Sequence, residues 1–325
     1  MGGLSEKANS LKKIWRNTGG RVVVVDAGNP LFRKKGHYPP ESDEFITAAT
    51  IAEIYTLLNH DAVAVGANDL SGGLDLLRET ENQGLPWVSA NLYDNNGKPL
   101  FPPYISKTFD NLSIAIVGIT GPSHSDSGDF IIKDGGEVLA DLLPALDKVS
   151  DLIILLSAMP LEDTVGFIEQ SPHIDLAIAA DDTKGNIIPF LSGTTLVTQT
   201  GNRGRYQGVL SVHWNGSPLG MSTSKELLTL RKRFKTINLR LNRLKTNPSD
   251  ANSKIEQIAQ LEVQRLELIG QIENLEKGQK SWGDRNNVSI YEHRFVPLAD
   301  TGRTDPQIDF IIKDTKKRLA AKRTQ

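Results

Sequence analysis

Runs of apolar residues that do not alternate with polar ones constrain this chain most. "RVVVVDAGN" (21–29), "DAVAVGAN" (61–68), "DLIILLSA" (151–158) and "IDLAIAAD" (174–181) each hold a short apolar core ending in small or polar residues. A strand with one wet face would alternate; "RVVVVDAGN" is apolar on both faces, as in a sheet covered on both sides, and the other three read as further strands. Helical patterns separate them. Residues 4–17 put Leu4, Leu11, Ile14 and Trp15 on one side, 43–58 form a helix capped by Ser42 or Asp43, and 72–83, 136–148 and 161–170 follow. "PWVSANLYD" (86–94) reads as a strand into the "DNNGKP" turn, and 102–121 as a hairpin turning at "DN". Residues 194–213 read as a terminal hairpin with a Gly-rich turn. The order is that of an α/β fold ending in antiparallel strands.

The pattern changes near residue 224. Leu227, Leu230, Phe234, Ile237, Leu241 and Leu244 are spaced 3, 4, 3, 4 and 3, an a/d heptad stripe. "TNPSDAN" follows, a turn with Ser249 and Asp250 as capping candidates. A second stripe runs through Ile258, Leu261, Leu268, Ile272 and Leu275, interrupted by Arg265. The expectation is an antiparallel, coiled-coil helical hairpin over 223–281, whose first helix is about 35 Å long at about 1.5 Å per residue. It is either an arm packed on itself or a surface for self-association or a protein partner. Residues 288–298 then read as a strand returning to a main domain of 1–222, and 305–322 as a capped helix with a basic end, so that 282–325 pack back on it.

Composition removes several function classes. The formal charge of −2 leaves no electrostatic footprint for nucleic acid. No apolar run approaches bilayer length, and the first residues lack the apolar core of a secretory signal. The absence of cysteine removes disulfides, thiolate nucleophiles, zinc–thiolate centres and c-type haem attachment. The six His (37, 60, 124, 173, 213 and 293) are scattered, with no pair at metal-ligand spacing. Ser123, His124 and Asp126 in "TGPSHSDSGDF" (120–130) make no catalytic triad by proximity alone. Arg203 and Arg205 in "TGNRGRY" (200–206) are candidates for an anion contact, although arginines in a hairpin turn are usually solvated.

The series of strand-end loops resembles the calcineurin-like metallophosphoesterases, and more narrowly the N-terminal domain of the 5'-nucleotidase and UDP-sugar hydrolase family. "GGLSEKANSLKKIWRN" (2–17) is similar to the helix after that family's first metal loop. "VVVVDAGNPLF" (22–32) resembles "LLLDAGD", and "DAVAVGANDLSGGLDLL" (61–77) resembles "DA-x-x-x-GNHEFD-x-G-x-x-x-L". "LPWVSANLYD" resembles "P-x-L-x-AN", and "IAIVGITGP" (114–122) resembles "VGVIGLTT". "DLIILLSAMPLED" stands for "D-x-x-I-x-LSH-x-G", "HIDLAIAADDTKG" for "IDLILGGHTH", and "VTQTGNRGRYQG" for "V-Q-A-G-x-x-G-x-x-L-G". The likeness covers about residues 2–214 in order. It implies a metallophosphoesterase-like αββα sandwich, here with the helical hairpin inserted.

In that family two metal ions clamp a phosphate and activate a bridging water. The resemblance places the ligands at positions that have changed. The Asp of "GD" is Asn29, the Asn and His of "GNH" are Ala67 and Asn68, the His of "LSH" is Ala158, and the two His of "GHTH" are Asp181 and Thr183. The family's Asp-x-His loop precedes the segment matched by 2–17 and has no counterpart. A neutral amide or a methyl does not hold a divalent cation as carboxylate and imidazole do. The expectation is a non-catalytic binding, scaffold or assembly domain with no cofactor. The alternative is a phosphoesterase with an atypical site, in which Asn29, Asn68, Asp69, Asp181 and Asp182 hold a single Mg²⁺, Ca²⁺ or Mn²⁺. Asp26 is expected to bond nearby backbone amides. The resemblance further implies an exported protein and, in some relatives, a redox partner such as a multihaem cytochrome.

Overall fold

The structure is a computed structural model that describes residues 3–122, 128–201, 204–246, 251–298 and 304–323. The chain divides into two compact units, Met1–Val209 with Arg294–Gln325, and Leu210–His293.

The first unit opens with α1 (Leu4–Thr18), β1 (Val25–Asp26) and α2 (Asp43–Leu57), then β2 (Ala62–Ala64), a 3-10 turn (Asp69–Gly72), α3 (Leu74–Asn82) and β3 (Trp87–Val88). Ser42 caps α2, its hydroxyl accepting the Phe45 N–H at 3.1 Å. The strands pair in parallel in the order β1-β2-β3. Only two residues of the expected 21–29 strand enter the ladder. Val24 instead exchanges bonds with Asp61, donating its N–H to the carboxylate and accepting the Asp61 N–H. The expected strand 86–94 is also divided, between β3 and β4 (Leu92–Tyr93), which pairs antiparallel with β7 (Ile131–Ile132). The break falls at Asn91, whose buried amide bonds the Thr120 and Lys133 carbonyls and so leaves no regular ladder there.

A larger sheet is built from β5 (Tyr104–Phe109), β6 (Leu112–Thr120), β8 (Leu152–Ala158), β9 (Leu176–Ala179), β10 (Ile187–Ser192) and β11 (Thr195–Gln199), in the order β10-β11-β9-β8-β6-β5. All seven residues of β8 are buried, as its unbroken apolar run predicts. Ala115, Val117, Ile153 and Leu155 pack against Leu139 and Leu143 of α4 (Gly135–Leu146) and Ile168 of α5 (Leu161–Gln170). On the smaller sheet, Val63, Val65 and Trp87 pack against Ala48 and Ala52 of α2 and Leu77 of α3. Ala8 and Leu11 of α1, Ile54 of α2 and Ile308 of α8 (Pro306–Lys322) add an outer cluster on that side. The sheets meet closely at Gly118 of β6, where a Cβ would lie 2.4 Å from the Val88 carbonyl oxygen. The layers are therefore helix, sheet, sheet, helix.

One expectation fails. Residues 194–213 are not a hairpin. β11 pairs antiparallel with β10 and parallel with β9, whereas β12 (Tyr206–His213) lies in a separate sheet of order β12-β14-β13, with β13 (Leu219–Ser222) and β14 (Ser289–Pro297). The overlooked strand is β10, whose "IIPFLS" carries Pro189 and does not alternate cleanly. An edge strand tolerates proline, because one side of it needs no ladder donor.

The chain passes into the second unit within β12 and returns within β14. That unit contains α6 (Lys225–Thr246) and α7 (Ala251–Arg285), packed along each other. Leu227, Leu230, Leu241, Leu261 and Leu268 are buried in the seam. Arg265 lies half-buried on the stripe it interrupts and pairs with Glu262 at 2.8 Å. Ser249 and Asp250 lie outside the described residues. Among the described residues, no helix is long and apolar enough to cross a membrane.

Candidate functional site

The loops at the carboxyl ends of the parallel strands are where an α/β sheet usually receives a ligand. After β1, Asp26 turns back on its own loop: its carboxylate accepts the Gly28 N–H at 3.1 Å and the Tyr55 hydroxyl at 2.9 Å. Asn29 follows in the left-handed region (φ 59°), which asparagine tolerates better than most residues. Its Oδ1 accepts the Asn68 N–H at 2.8 Å, joining the loop after β1 to the loop after β2. Gly66 permits this approach, since a Cβ there would lie 2.1 Å from that same oxygen. Ala158 closes the third side: a Cβ on Gly28 would meet its methyl at 2.7 Å. Positions 28, 29, 66–69 and 158 are thus one cluster.

Asp69 is its electrostatic centre. The side chain is fully buried, and its carboxylate accepts the backbone N–H groups of Gly66 and Asn29 on Oδ2, each at 2.9 Å, and of Leu31 on Oδ1 at 3.0 Å. Burial pushes its carboxyl up to about 7, against the pull of those amides. Asp69 is therefore a buried clasp between two loops. Asn68 and Ala67 beside it are buried too.

Asp181 is occupied in the same manner. Its Oδ2 accepts the Leu161 N–H that opens α5 at 3.0 Å, and its Oδ1 accepts the N–H and hydroxyl of Thr183 at 2.9 and 2.6 Å. Burial opposes ionisation, but these donors hold the carboxyl below the usual carboxylate range. Asp182 also interacts with a neighbouring group. Arg205 is exposed, and its carbonyl accepts the Leu298 N–H at 2.9 Å. Arg203, Ser123, His124 and Asp126 lie outside the described residues.

Several contributors escape a reading of motif positions alone. Gln199 clamps the loop after β9: its Oε1 accepts the Asp181 N–H at 2.8 Å, and its Nε2 donates to the carbonyls of Asp181 and Gly185. Its signal was the Gln of "V-Q-A-G". Behind Asp26, the Tyr55 ring stacks on His60 at 4.3 Å, and the Lys7 ammonium sits 3.3 Å from His60 Nε2. Burial, reinforced by Lys7, keeps the His60 imidazole well below its ordinary range and therefore neutral. Nothing in the spacing of these four residues joins them in sequence.

The donor set does not fit a two-metal centre. Two positions are methyls. The Asn29 oxygen is spent on a backbone N–H, Thr183 donates to Asp181, and the carboxylates of Asp69 and Asp181 each already accept three protein donors. Among the described residues, no three His, Asp or Glu gather as a metal would need.

The second unit holds a separate cavity of about 310 Å³. Arg231, which pairs with Glu276 and Glu292, lies in its wall, so its main charges are neutralised within the protein.

Comparison with known proteins agrees with the fold. No family model matches the chain. Protein UshA of Salmonella pullorum is 31% identical over 114 residues, 34% of this chain and 20% of the relative, so the chain spans about a fifth of that protein's length. Among solved structures, Thermus thermophilus sulfate thiohydrolase SoxB superposes with a TM-score of 0.58 at 19% identity, covering 66% of this chain and 40% of that one. The calcineurin-like phosphoesterase YfkN of Bacillus subtilis gives 0.58 at 14% identity, covering 97% and 88%. The chain has the fold of the calcineurin-like metallophosphoesterases and resembles, within them, the N-terminal domain of the UshA-like 5'-nucleotidases.

Proposed function

We propose that this chain is a non-catalytic member of the metallophosphoesterase fold, a binding or scaffold domain whose strand-end loops have been converted from metal ligation to structural clasps. One observation carries the reading: Asn29 and Asp69, in the loops where a metal-bridging pair would converge, spend their oxygens on the backbone N–H groups of Gly66, Asn68, Asn29 and Leu31. A cation entering there would have to displace bonds that hold the loops together. Residues preceding this chain could supply further ligands to such a site; they would not replace Ala67, Asn68, Ala158 or Thr183.

The test is elemental analysis of the purified protein after incubation with Mn²⁺, together with hydrolysis assays on nucleotides and p-nitrophenyl phosphate. The reading expects substoichiometric metal and no metal-dependent turnover. One metal per chain with turnover that EDTA removes would overturn it.

A further inference from the structure

We infer that the outer face of α6 is a docking surface for double-stranded DNA, seated in the major groove and held by contacts to phosphate. α6 carries eight Lys and Arg against one Glu. Two of the eight are neutralised within the second unit: Arg231 pairs with Glu276 and Glu292, and Lys245 with Glu262. The other six are Lys225, Lys232, Arg233, Lys235, Arg240 and Arg243. All are exposed, and none forms an ion pair among the described residues. A formal charge of −2 for the whole chain averages this concentration away, so an expectation drawn from net charge does not reach α6.

The six cations share one side of the helix. At about 100° per residue, Lys225, Lys232 and Arg243 fall within about 20° of a single line. Arg240 and Arg233 stand about 60° and about 80° to one side of that line, and Lys235 about 80° to the other. Leu227, Leu230 and Leu241 are buried on the opposite side, against α7. From Lys225 to Arg243 the ridge runs about 27 Å. A basic stripe along a helix is the electrostatic footprint of a nucleic-acid-binding element.

The shape of the ridge selects among polyanions. Its cations spread over an arc of about 160°, so a flat bilayer meets the middle ones head-on and the flanking ones edge-on. A helix bound at a membrane surface also turns large apolar side chains into the lipid. On this face Leu239 alone is a largely exposed apolar residue, because the apolar stripe of α6 is spent on α7. The major groove of B-DNA, about 12 Å wide and about 8.5 Å deep, admits one α-helix between two walls of phosphate. Seated there, Arg233 and Arg240 face one wall and Lys235 the other, while α7, on the far side of α6, stays outside the groove. Contacts to phosphate fix position without reading sequence, so the binding is sequence-independent. Duplex RNA offers no such seat, because its major groove is deep and narrow. The ridge belongs to the second unit, so it stands whether or not the strand-end loops hold a metal.

Fluorescence anisotropy of a labelled DNA duplex of about 20 base pairs, titrated with the full chain, tests it. Binding should be micromolar at about 50 mM salt, and log K should fall against log salt with a slope of about −5, the value for six phosphate contacts. Lys232→Ala with Arg240→Ala and Arg243→Ala should weaken binding by about tenfold or more and roughly halve the slope. The circular dichroism spectrum should not change, because all three positions are exposed. Lys313→Ala with Lys316→Ala and Lys317→Ala removes the same charge from exposed positions of α8. That variant should bind within about twofold of wild type, since distant surface charges are screened. No binding at low salt, an α6 variant that binds as well as wild type, or an α8 variant that weakens as much would overturn the inference. So would equal or tighter binding to duplex RNA, or to vesicles of anionic phospholipid at matched phosphate concentration, since either would assign the ridge to another polyanion.

Discussion

Asn29 Oδ1 accepts the Asn68 backbone N–H at 2.8 Å, and this bond joins the ends of two adjacent parallel strands, β1 and β2. The resemblance of "DAGN" and "GAND" to the family's motifs implies metal-ligand positions at both residues. A protein–protein bond between two such positions changes what the loops need: fixed distance and left-handed backbone at 29 instead of negative charge.

Asn29 therefore has two separable roles. Asn29→Gly keeps the left-handed backbone and loses the bond to Asn68, which should cost about 1 kcal/mol. Asn29→Ala loses the bond and also strains the backbone at φ 59°, which adds about 1 kcal/mol or more. The alanine variant should unfold at distinctly lower urea than the glycine variant. Equal midpoints would mean the backbone conformation contributes nothing.

Restoring the family's residues at a single loop should not restore its chemistry. Ala67→Asn with Asn68→His introduces an amide and an imidazole, but Ala158, Thr183 and the committed Asn29 remain. Calorimetry with Mn²⁺ should show no binding beyond that of the wild-type chain. Tight, stoichiometric binding by the double variant would show that the remaining groups around these loops suffice to complete a metal centre there.

Gly66 should resist any side chain. A Cβ would lie 2.1 Å from Asn29 Oδ1 and 2.5 Å from the Asn29 backbone nitrogen. The second of these is main chain and cannot swing aside. Gly66→Ala should destabilise by about 3 kcal/mol or more, at the severe end for a single substitution. A thermal midpoint within a few degrees of wild type would show that the two loops can separate freely.

The layered fold was legible because its determinants are local and repeated. Unbroken apolar runs such as 152–158 and a heptad stripe such as Leu227 to Leu244 announce burial through spacing alone. β10 was hidden because Pro189 and a solvated edge remove the alternation that marks a strand. In the site, motif order located Asn29, Ala67, Asn68, Ala158 and Asp181, and residue type argued against metal ligation. The replacement bonds could not be foreseen. Asp69 reaches Asn29 and Leu31 across about forty residues, and Lys7 meets His60 across fifty-three, so no local pattern encodes either contact.

Asp69 gives the cluster a pH signature. Burial raises its carboxyl to about 7 in the folded chain, against about 4 when unfolded. Between those values the folded state holds a proton that the unfolded state has released. Stability contributed by this group is therefore full below about pH 4 and falls as pH rises toward 7. Asp69→Asn removes the titration. It also sets an amide nitrogen against at least one of the three backbone N–H donors, which should cost about 1–3 kcal/mol. Urea denaturation at several pH values between 4 and 8 separates the two effects. The asparagine variant should be less stable than wild type throughout, and the gap should narrow as pH rises, because only the wild type loses the carboxyl proton's contribution. A gap independent of pH would mean that the three amides hold Asp69 ionised throughout this range, and that the clasp is a carboxylate rather than a carboxylic acid at neutral pH.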